Sequence, residues 1–373
     1  MWKKIKEKGF IGLFLLMIFG LPLLYRIVGP ETEENSENRT LAEKPKFSLA
    51  GYREYPERYE QYFNDHVAFK PQLVKLNQMI NYRLFGMAEN DQCVLGKEGW
   101  LFCKVDQTIE DYQGMCVYGE EQLAAIAGEL VRVQEYYQSK GIRFILFIAP
   151  NKESVYGELL PDKYEQIRDH SKADQLVGYL AEHTDLFVVY PKTLLRERKD
   201  RYPLYYKYDT HWTDVGAYLS VNELIGQMGY ATMPDADQVT FQEEGEHVGD
   251  LAVMLGLLQY FHTEPEIGVA DFTGTEAETV YSYPHHILFN EKFTADGANP
   301  EKVYVVGDSF SAKLAEYLKY SFSETTVIHR MEYTPGLAEG EETDIVVCEV
   351  VERYMDEMGS ISEVLIPKAE EME

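Results

Sequence analysis

From Glu120 onward the apolar positions alternate between a helical period of about 3.6 residues and short unbroken runs. Leu123, Ile126, Leu130 and Tyr137 recur on one helical face, and Gly141 stops that pattern. Ile142 to Ala149 follows as a continuous apolar run closed by Pro150, as a strand buried on both faces reads. Ser171 predicts a cap for a helix through His183, Leu186 to Tyr190 a strand, and Pro191 the start of a short helix. Tyr205 to Trp212 is expected to be extended, and Val215 to Met228 a helix ended by Gly229. Further strands are predicted at Val303, Thr326 and Ile345. Such alternation predicts an α/β fold, a mostly parallel sheet with helices on both faces and ligands bound beyond the carboxyl ends of its strands.

The N-terminal part reads differently. Lys3, Lys4, Lys6 and Lys8 precede an uncharged apolar run from Gly9 to Tyr25, and Glu31, Glu33, Glu34 and Glu37 follow it. Positive charge stays inside, so the run predicts a single-pass membrane anchor with the N-terminus in the cytoplasm. No small-x-small cleavage site follows it, so an uncleaved signal anchor is expected, with secretion after cleavage as the alternative. Either outcome puts the rest of the chain outside the cytoplasm. Residues 1–30 are then the cytoplasmic tip and anchor. Residues 31–118 are a juxtamembrane linker and a helical accessory region, and residues 119–373 the α/β domain with an insertion around 230–300. In the accessory region Tyr55, Tyr59, Tyr62 and Phe63 recur at helical spacing, which predicts a core-facing stripe. A second helix opens at Pro71 and carries Leu73, Leu76, Ile80 and Leu84 to Gly86. Asp65 and His66 adjoin in sequence and do not share a face, so they are read as structural.

A formal net charge of −28 excludes a nucleic-acid backbone and an anionic lipid surface as partners and leaves a neutral or cationic glycan. Four cysteines in so long a chain are not a disulfide framework; Cys103 with Cys116 is the pair expected first, ahead of Cys93. Cys348 lies in the apolar run Asp344 to Val350 and reads as a small buried hydrophobe. Neither CxxC nor HExxH spacing occurs, His247, His262, His285 and His286 show no ligand spacing, and no metal or cofactor is expected.

Chemistry concentrates in two segments. Gly307-Asp308-Ser309-Phe310 follows the apolar run Val303 to Val306 and precedes Lys313, Leu314, Tyr317 and Leu318 at helical spacing. That is the strand-turn-helix context in which a nucleophilic serine sits. Tyr208-Asp209-Thr210-His211-Trp212 supplies an imidazole to take the proton of Ser309 and a carboxylate two residues away to orient the ring. Asp209 and His211 would share one side of an extended segment. Backbone N–H groups at the start of the helix, from Phe310, are candidate oxyanion donors. The bland alternatives are a helix-capping Ser309 and an Asx-turn at Asp209 with a satisfied histidine.

Taken together, Asp209-Thr210-His211-Trp212 and the later Gly307-Asp308-Ser309-Phe310 resemble the SGNH-hydrolase-like domain of the alginate O-acetyltransferase family and the related DHHW-type proteins. Glu37-Asn38-Arg39-Thr40-Leu41-Ala42, Phe63-Asn64-Asp65-His66, Gly99-Trp100-Leu101-Phe102, Ala149-Pro150-Asn151-Lys152 and Glu349-Val350-Val351-Glu352-Arg353-Tyr354 look like that family's recurring stretches. The resemblance implies a three-layer αβα domain with Ser309 as nucleophile, His211 as base and Asp209 as its orienter. Serine-last order differs from ordinary SGNH hydrolases and implies a rearranged connectivity; a triad is defined by geometry, not order. Thr210 stands where the DHHW-type signature has histidine, and the Gly-x-Asn-Asp block that usually donates an oxyanion-hole asparagine is not visible, so Asn151 and Gly249 are the substitutes considered. Lys152 adjoins Asn151, and Glu349 and Arg353 are expected either to orient a substrate or to pair with each other. Three functions stay open: an extracytoplasmic O-acetyltransferase acting on a polysaccharide, an acetyl esterase with the same residues, and a non-catalytic glycan-binding or assembly protein. The first implies a multi-spanning membrane acyltransferase as acetyl donor, since acetyl-CoA is cytoplasmic.

Overall fold

The computed structural model of the chain describes residues 2–28, 42–49, 51–261, 263–270, 275–283, 288–296 and 299–367. In chain order the strands are β1 (Cys93–Leu95), β2 (Leu101–Cys103), β3 (Arg143–Ala149), β4 (Val188–Val189), β5 (Thr240–His247) and β6 (Glu264–Ala270). They continue with β7 (Ala277–Ser282), β8 (Asn290–Ala295), β9 (Asn299–Gly307), β10 (Phe322–His329) and β11 (Ile345–Val351). Seven of them form one sheet in the order β4-β3-β11-β9-β10-β8-β7. The run from β4 to β10 is parallel throughout, and β8 and β7 add antiparallel strands at one edge. β1 with β2 and β5 with β6 make separate antiparallel pairs.

Alternation along the central strands builds the two outer layers. Ile145 and Phe147 of β3, Val303 and Val305 of β9, and Ile345 and Val347 of β11 share one core with Val215, Tyr218 and Leu224 of the helix Asp214–Met228 and with Phe310 and Leu314 of the helix Phe310–Leu318. Leu146 and Ile148, Tyr304 and Val306, and Val346 and Val350 point the other way, onto Ile126, Leu130 and Val133 of the helix Glu120–Ser139 and Leu176 and Leu180 of the helix Lys172–His183. Each large apolar side chain fully removed from water contributes roughly 1.5–3 kcal/mol, so both faces of β3, β9 and β11 must be covered. Ser171 caps the helix Lys172–His183 in a reciprocal box with Asp174, and Gly229 ends Asp214–Met228 at φ 89°.

The expected mostly parallel sheet is thus mixed. β7 and β8 arise from the region read as an insertion. Their sequences, AETVYS and NEKFTA, mix polar and apolar residues without a continuous apolar run, and only Phe293 and Ala295 are buried. An antiparallel edge with one wet face carries no continuous apolar run.

Contacts divide the chain into a unit of Met1–Glu89 with Val253–Tyr260 and a unit of Asn90–Ala252 with Phe261–Glu373. The expected boundary at 118/119 therefore falls inside the larger unit: Val94, Phe102 and Ile109 belong to the same core as Phe147. In the smaller unit, Lys8–Val28 is one helical stretch long and apolar enough to cross a membrane. The helices Tyr55–Asp65 and Lys70–Phe85 form as expected, the second ending at Gly86 with φ 64°. The aromatic stripe of the first does not face a core, contrary to expectation, since Phe63 is 57% exposed; Leu84 of the second is 70% exposed. Instead, Tyr55, Tyr59 and Tyr62 contact one another along the helix surface. Asp65 accepts from the Ala42 amide and His66 bonds the Tyr62 carbonyl at the helix end, the structural role expected of them. Residues 37–41 of the Glu37–Ala42 stretch, the acidic linker up to residue 41, and His262, His285 and His286 lie outside the described residues.

Cys348 is buried in β11 as expected. Cys103, however, stands opposite Cys93 in the β1–β2 register, and Cys116 is apart with its thiol on Gln107. Beyond them the Lys104 amide donates to the Gln92 carbonyl, so Cys93 and Cys103 occupy a non-hydrogen-bonded pair, where Cα atoms lie about 4.5 Å apart. That separation suits a disulfide. Refolding with oxidised glutathione should link Cys93 to Cys103 and leave Cys116 and Cys348 alkylatable after denaturation; non-reducing peptide mapping that recovers Cys103–Cys116 instead would refute the register.

Candidate active site

Gly307 ends β9, and the chain turns through Asp308 into the helix Phe310–Leu318 with Ser309 at its start. A Cβ on Gly307 would lie 2.5 Å from Glu349 Oε2 and 2.8 Å from the Ser311 side chain, so only glycine fits this turn. Asp308 locks it. One carboxylate oxygen accepts from the Phe310 amide at 3.0 Å and the other from the Val351 amide of β11 at 2.8 Å, while the Asp308 amide donates to Glu349 Oε2 at 2.9 Å. Burial, followed by the neighbouring Asp308, pushes the Glu349 carboxyl well above its ordinary value. The Phe310 amide is consequently engaged by Asp308 and is not the open donor expected of it; the Ser309 amide stands at the helix start.

On the other segment, the Tyr205–Trp212 stretch is closed by a bridge between its ends rather than extended throughout. Asp209 Oδ1 accepts from both the backbone amide of His211, at 2.8 Å, and its ring Nδ1, at 2.6 Å. The pairing thus comes from an Asx-turn, not from two residues on one side of a strand. A short polar side chain captures a backbone N–H two residues on more readily than a strand can form without a partner. The imidazole is nevertheless unsatisfied by this alone: Nε2 reaches Ser309 Oγ at 2.7 Å.

Packing brings these remote segments together. The helix that follows His211, Asp214–Met228, lies against the helix that follows Ser309, with Tyr218 edge-on to Tyr317 at 5.4 Å. Asp214, near the first turn, accepts from Lys313 Nζ at 2.6 Å and from Tyr317 Oη at 3.0 Å. Phe310 fills the junction, 5.0 Å from the His211 ring and 5.0 Å edge-on to Trp212.

Asp209 Oδ2 takes two further donors, His247 Nε2 at 2.9 Å and the Asp250 amide at 2.8 Å. Burial alone would raise the Asp209 carboxyl, but the hydrogen bonds from His211 and His247 hold it well below the usual carboxylate range. Asp250 in turn accepts from the Thr210 amide at 2.8 Å and hydroxyl at 2.6 Å. Atoms of Asp209, His211 and Asp250 lie within 4.8 Å of one another, as a cation site would need. A cation there would have to displace the N–H and O–H donors that already occupy the oxygens of Asp209 and Asp250.

Residues 93–335, more than half of the chain, match the family described as SGNH hydrolase-like domain, acetyltransferase AlgX. The chain belongs to this AlgX/AlgJ/DHHW-type family of SGNH-hydrolase-like acetyltransferases. It is 28% identical over 171 residues to a probable alginate O-acetylase AlgJ of Pseudomonas putida, covering 44% of this chain and 42% of that protein. The chain spans about half the length of the curated relatives it matches. Among solved structures, a DHHW family protein from Eubacterium siraeum has the same fold, with a TM-score of 0.58 at 15% identity over 76% of this chain and 98% of its own. Bacillus cereus PatB1 carrying a sulfonyl adduct gives 0.50 at 14% identity over 73% and 98%.

Around this arrangement, the neighbouring residues singled out from the sequence take up specific positions. Buried Lys152 donates to the carbonyls of Asp209 at 2.6 Å, Tyr206 at 3.2 Å and Lys207 at 3.4 Å, which fixes the loop carrying Asp209. Burial lowers the Lys152 ammonium. Asn151 is buried at the end of β3 and its amide donates to Glu352 at 2.8 Å. With β11 lying between β3 and β9, two strand spacings of about 4.8 Å separate the ends of β3 and β9. Glu349 and Arg353 do not pair with each other; Glu349 holds the Asp308 turn, and the Arg353 guanidinium lies over the Phe310 and Tyr354 rings. His247 and Asp250 were not singled out, although Gly249 between them was. Gly249 is where the backbone comes closest to Tyr208, since a Cβ there would lie 2.0 Å from the Tyr208 carbonyl oxygen. Gly249→Ala should therefore cost about 1–3 kcal/mol of stability by urea unfolding, because the clash is with backbone; an unchanged midpoint would show that the loop can yield.

Proposed function

We propose that the protein is an extracytoplasmic O-acetyltransferase that carries an acetyl group on Ser309 and delivers it to a hydroxyl of a polysaccharide. The 2.7 Å approach of His211 Nε2 to Ser309 Oγ carries this reading. Ser309 Oγ attacks the acetyl carbonyl of the donor as its proton passes to His211 Nε2, and Asp209, bonded to the far ring nitrogen, stabilises the imidazolium. The Ser309 amide at the helix start is the candidate first donor to the developing oxyanion, and Asn151 the candidate for a second. His211 returns the proton to the leaving group. An acceptor hydroxyl then gives its proton to His211 as it attacks the acyl-serine, and His211 passes that proton to Ser309 Oγ as the bond to the acetyl carbon breaks, releasing the ester and the free Ser309.

Membership of a family of O-acetyltransferases favours transfer over hydrolysis, which the same residues would perform with water as acceptor. A formal charge of −28 favours a neutral or cationic acceptor polymer over a polyanion. Lys8–Val28 supports attachment to a membrane, with the site on the side where a multi-spanning acyltransferase would hand over acetyl groups.

Incubating the protein with 4-nitrophenyl acetate and neutral oligosaccharides should yield acetylated sugar detectable by mass spectrometry. Ser309→Ala and His211→Ala should each lower the rate by at least about 10³-fold. Acetate release without acetylated sugar would favour the esterase, and a Ser309→Ala protein as active as wild type would remove the acyl-enzyme.

A further inference from the structure

Two imidazoles share the Asp209 carboxylate. His211 Nδ1 lies 2.6 Å from Oδ1, and His247 Nε2 lies 2.9 Å from Oδ2. An ionised carboxylate only accepts, so His247 must carry its proton on Nε2, leaving Nδ1 as the atom that gains or loses a second proton. Its ring stacks on Tyr206 at 3.9 Å with 14° between planes, which fixes the direction of the Nε2–H. The side chain is 24% exposed, so protons reach it from solvent.

The charged surroundings of His247 come from several elements. Asp209 and Tyr206 face it from the His211 segment, and Asp250 follows it in the chain. Glu264 stands opposite it in the β5–β6 register and Glu266 two residues further along β6. Lys313, on the helix that starts after Ser309, is bonded to Glu266 at 3.3 Å and lies over the Tyr206 ring. Burial alone would lower the His247 imidazole, but its bond to Asp209, the charge of Asp209 and then those of Glu266 and Glu264 raise it above the ordinary 6.5.

We propose that His247 is a positioning residue whose charge sets the strength of His211 as general base. When His247 is neutral, its Nε2–H holds Oδ2 and leaves the charge of Asp209 to stabilise the imidazolium that forms on His211. When His247 gains a proton on Nδ1, its own positive charge is compensated by Asp209 and opposes a second imidazolium at His211. Release of that proton to solvent therefore strengthens the base. Two protons, one from each imidazole, must be lost for full activity. The inference rests on the reading of Asp209, His211 and Ser309 as one catalytic unit and adds a fourth member to it.

The test measures kcat/KM against pH for wild type, His247→Gln and His247→Leu, beside an NMR titration of the histidine ring carbons. In wild type the logarithm of kcat/KM should rise with a slope approaching 2 on the acid side, and His247 should titrate above 6.5. His247→Gln keeps an N–H donor for Oδ2 but does not titrate, so its acid side should have a slope of 1. His247→Leu lacks the donor and should lose roughly 10–100-fold in kcat with KM little changed, while Gln restores about 10-fold over Leu. A wild-type slope of 1 that Gln leaves unaltered, or a His247 midpoint at or below 6.5, overturns the proposal. Ser309→Ala, measured in parallel, separates the two readings. Loss of activity there with no effect at His247 rejects only this inference, and retained activity rejects the catalytic unit itself. Thermal unfolding of each variant excludes loss of the fold as the cause.

Discussion

The site depends on one carboxylate being fully hydrogen-bonded where water does not reach. Asp209 is 4% exposed in its side chain, and removing an isolated carboxylate from water costs several kcal/mol. Four N–H groups answer that cost: the His211 amide and ring, the His247 ring and the Asp250 amide. Each hydrogen bond to a charged group contributes about 1.5–3 kcal/mol, so four of them outweigh the burial and keep Asp209 ionised. Because the donors come from two separate stretches of chain, the same bonds that settle the charge also join the loop at 209–211 to the loop at 247–250. The orientation of His211 and the course of the backbone around it are one problem with one solution.

Meeting Ser309 is a separate matter, decided by packing at some distance from the chemistry. His211 and Ser309 each sit immediately before a helix on the same face of the sheet, and those helices lie side by side. Asp214 fixes their relative rotation through Lys313 and Tyr317. On the sheet side, Asp308 and Glu349 tie the turn that carries Ser309 to β11, so Ser309 moves with the central strands. The serine-last order of the residues is then a consequence of β9 following the helix Asp214–Met228 in the chain, with no effect on the geometry.

What could be read from the sequence follows from how local each signal is. β3, β9 and β11 were legible because each carries a continuous apolar run where both of its faces are covered, and the helices Lys172–His183 and Asp214–Met228 because one carries a capping box and the other a terminating glycine. Asp209, His211 and Ser309 were legible because two residue types that act together lie two apart, and the third lies where a strand must turn. β7 and β8 were not, since a half-wet antiparallel edge is as polar as a surface loop. His247 could not be matched to Asp209 because a contact across 38 residues leaves no spacing to recognise. The aromatic stripe at Tyr55 to Phe63 has the period of a buried face, yet period alone does not say whether another layer covers it. Likewise Cys93 and Cys116 flank Cys103 at similar distances along the sequence, and only the hairpin decides between them by placing Cys93 beside Cys103.

Strongly shifted ionisable groups are common around this site, and most of them support rather than react. Lys152, Glu153 and Glu349 are all pushed toward their neutral forms by burial, and each bonds backbone: Lys152 three carbonyls, Glu153 the Cys103 amide, Glu349 the Asp308 amide. A group so enclosed has no room for a substrate atom, whatever its proton affinity. His211 is 28% exposed and its Nε2 points at a serine that is itself partly open to solvent. Perturbed titration marks candidate sites only in combination with access. By that criterion the buried acids and the buried lysine at the carboxyl ends of β3 and β11 are the frame, and the partly exposed pair of His211 and Ser309 is the part of the site that a substrate could reach.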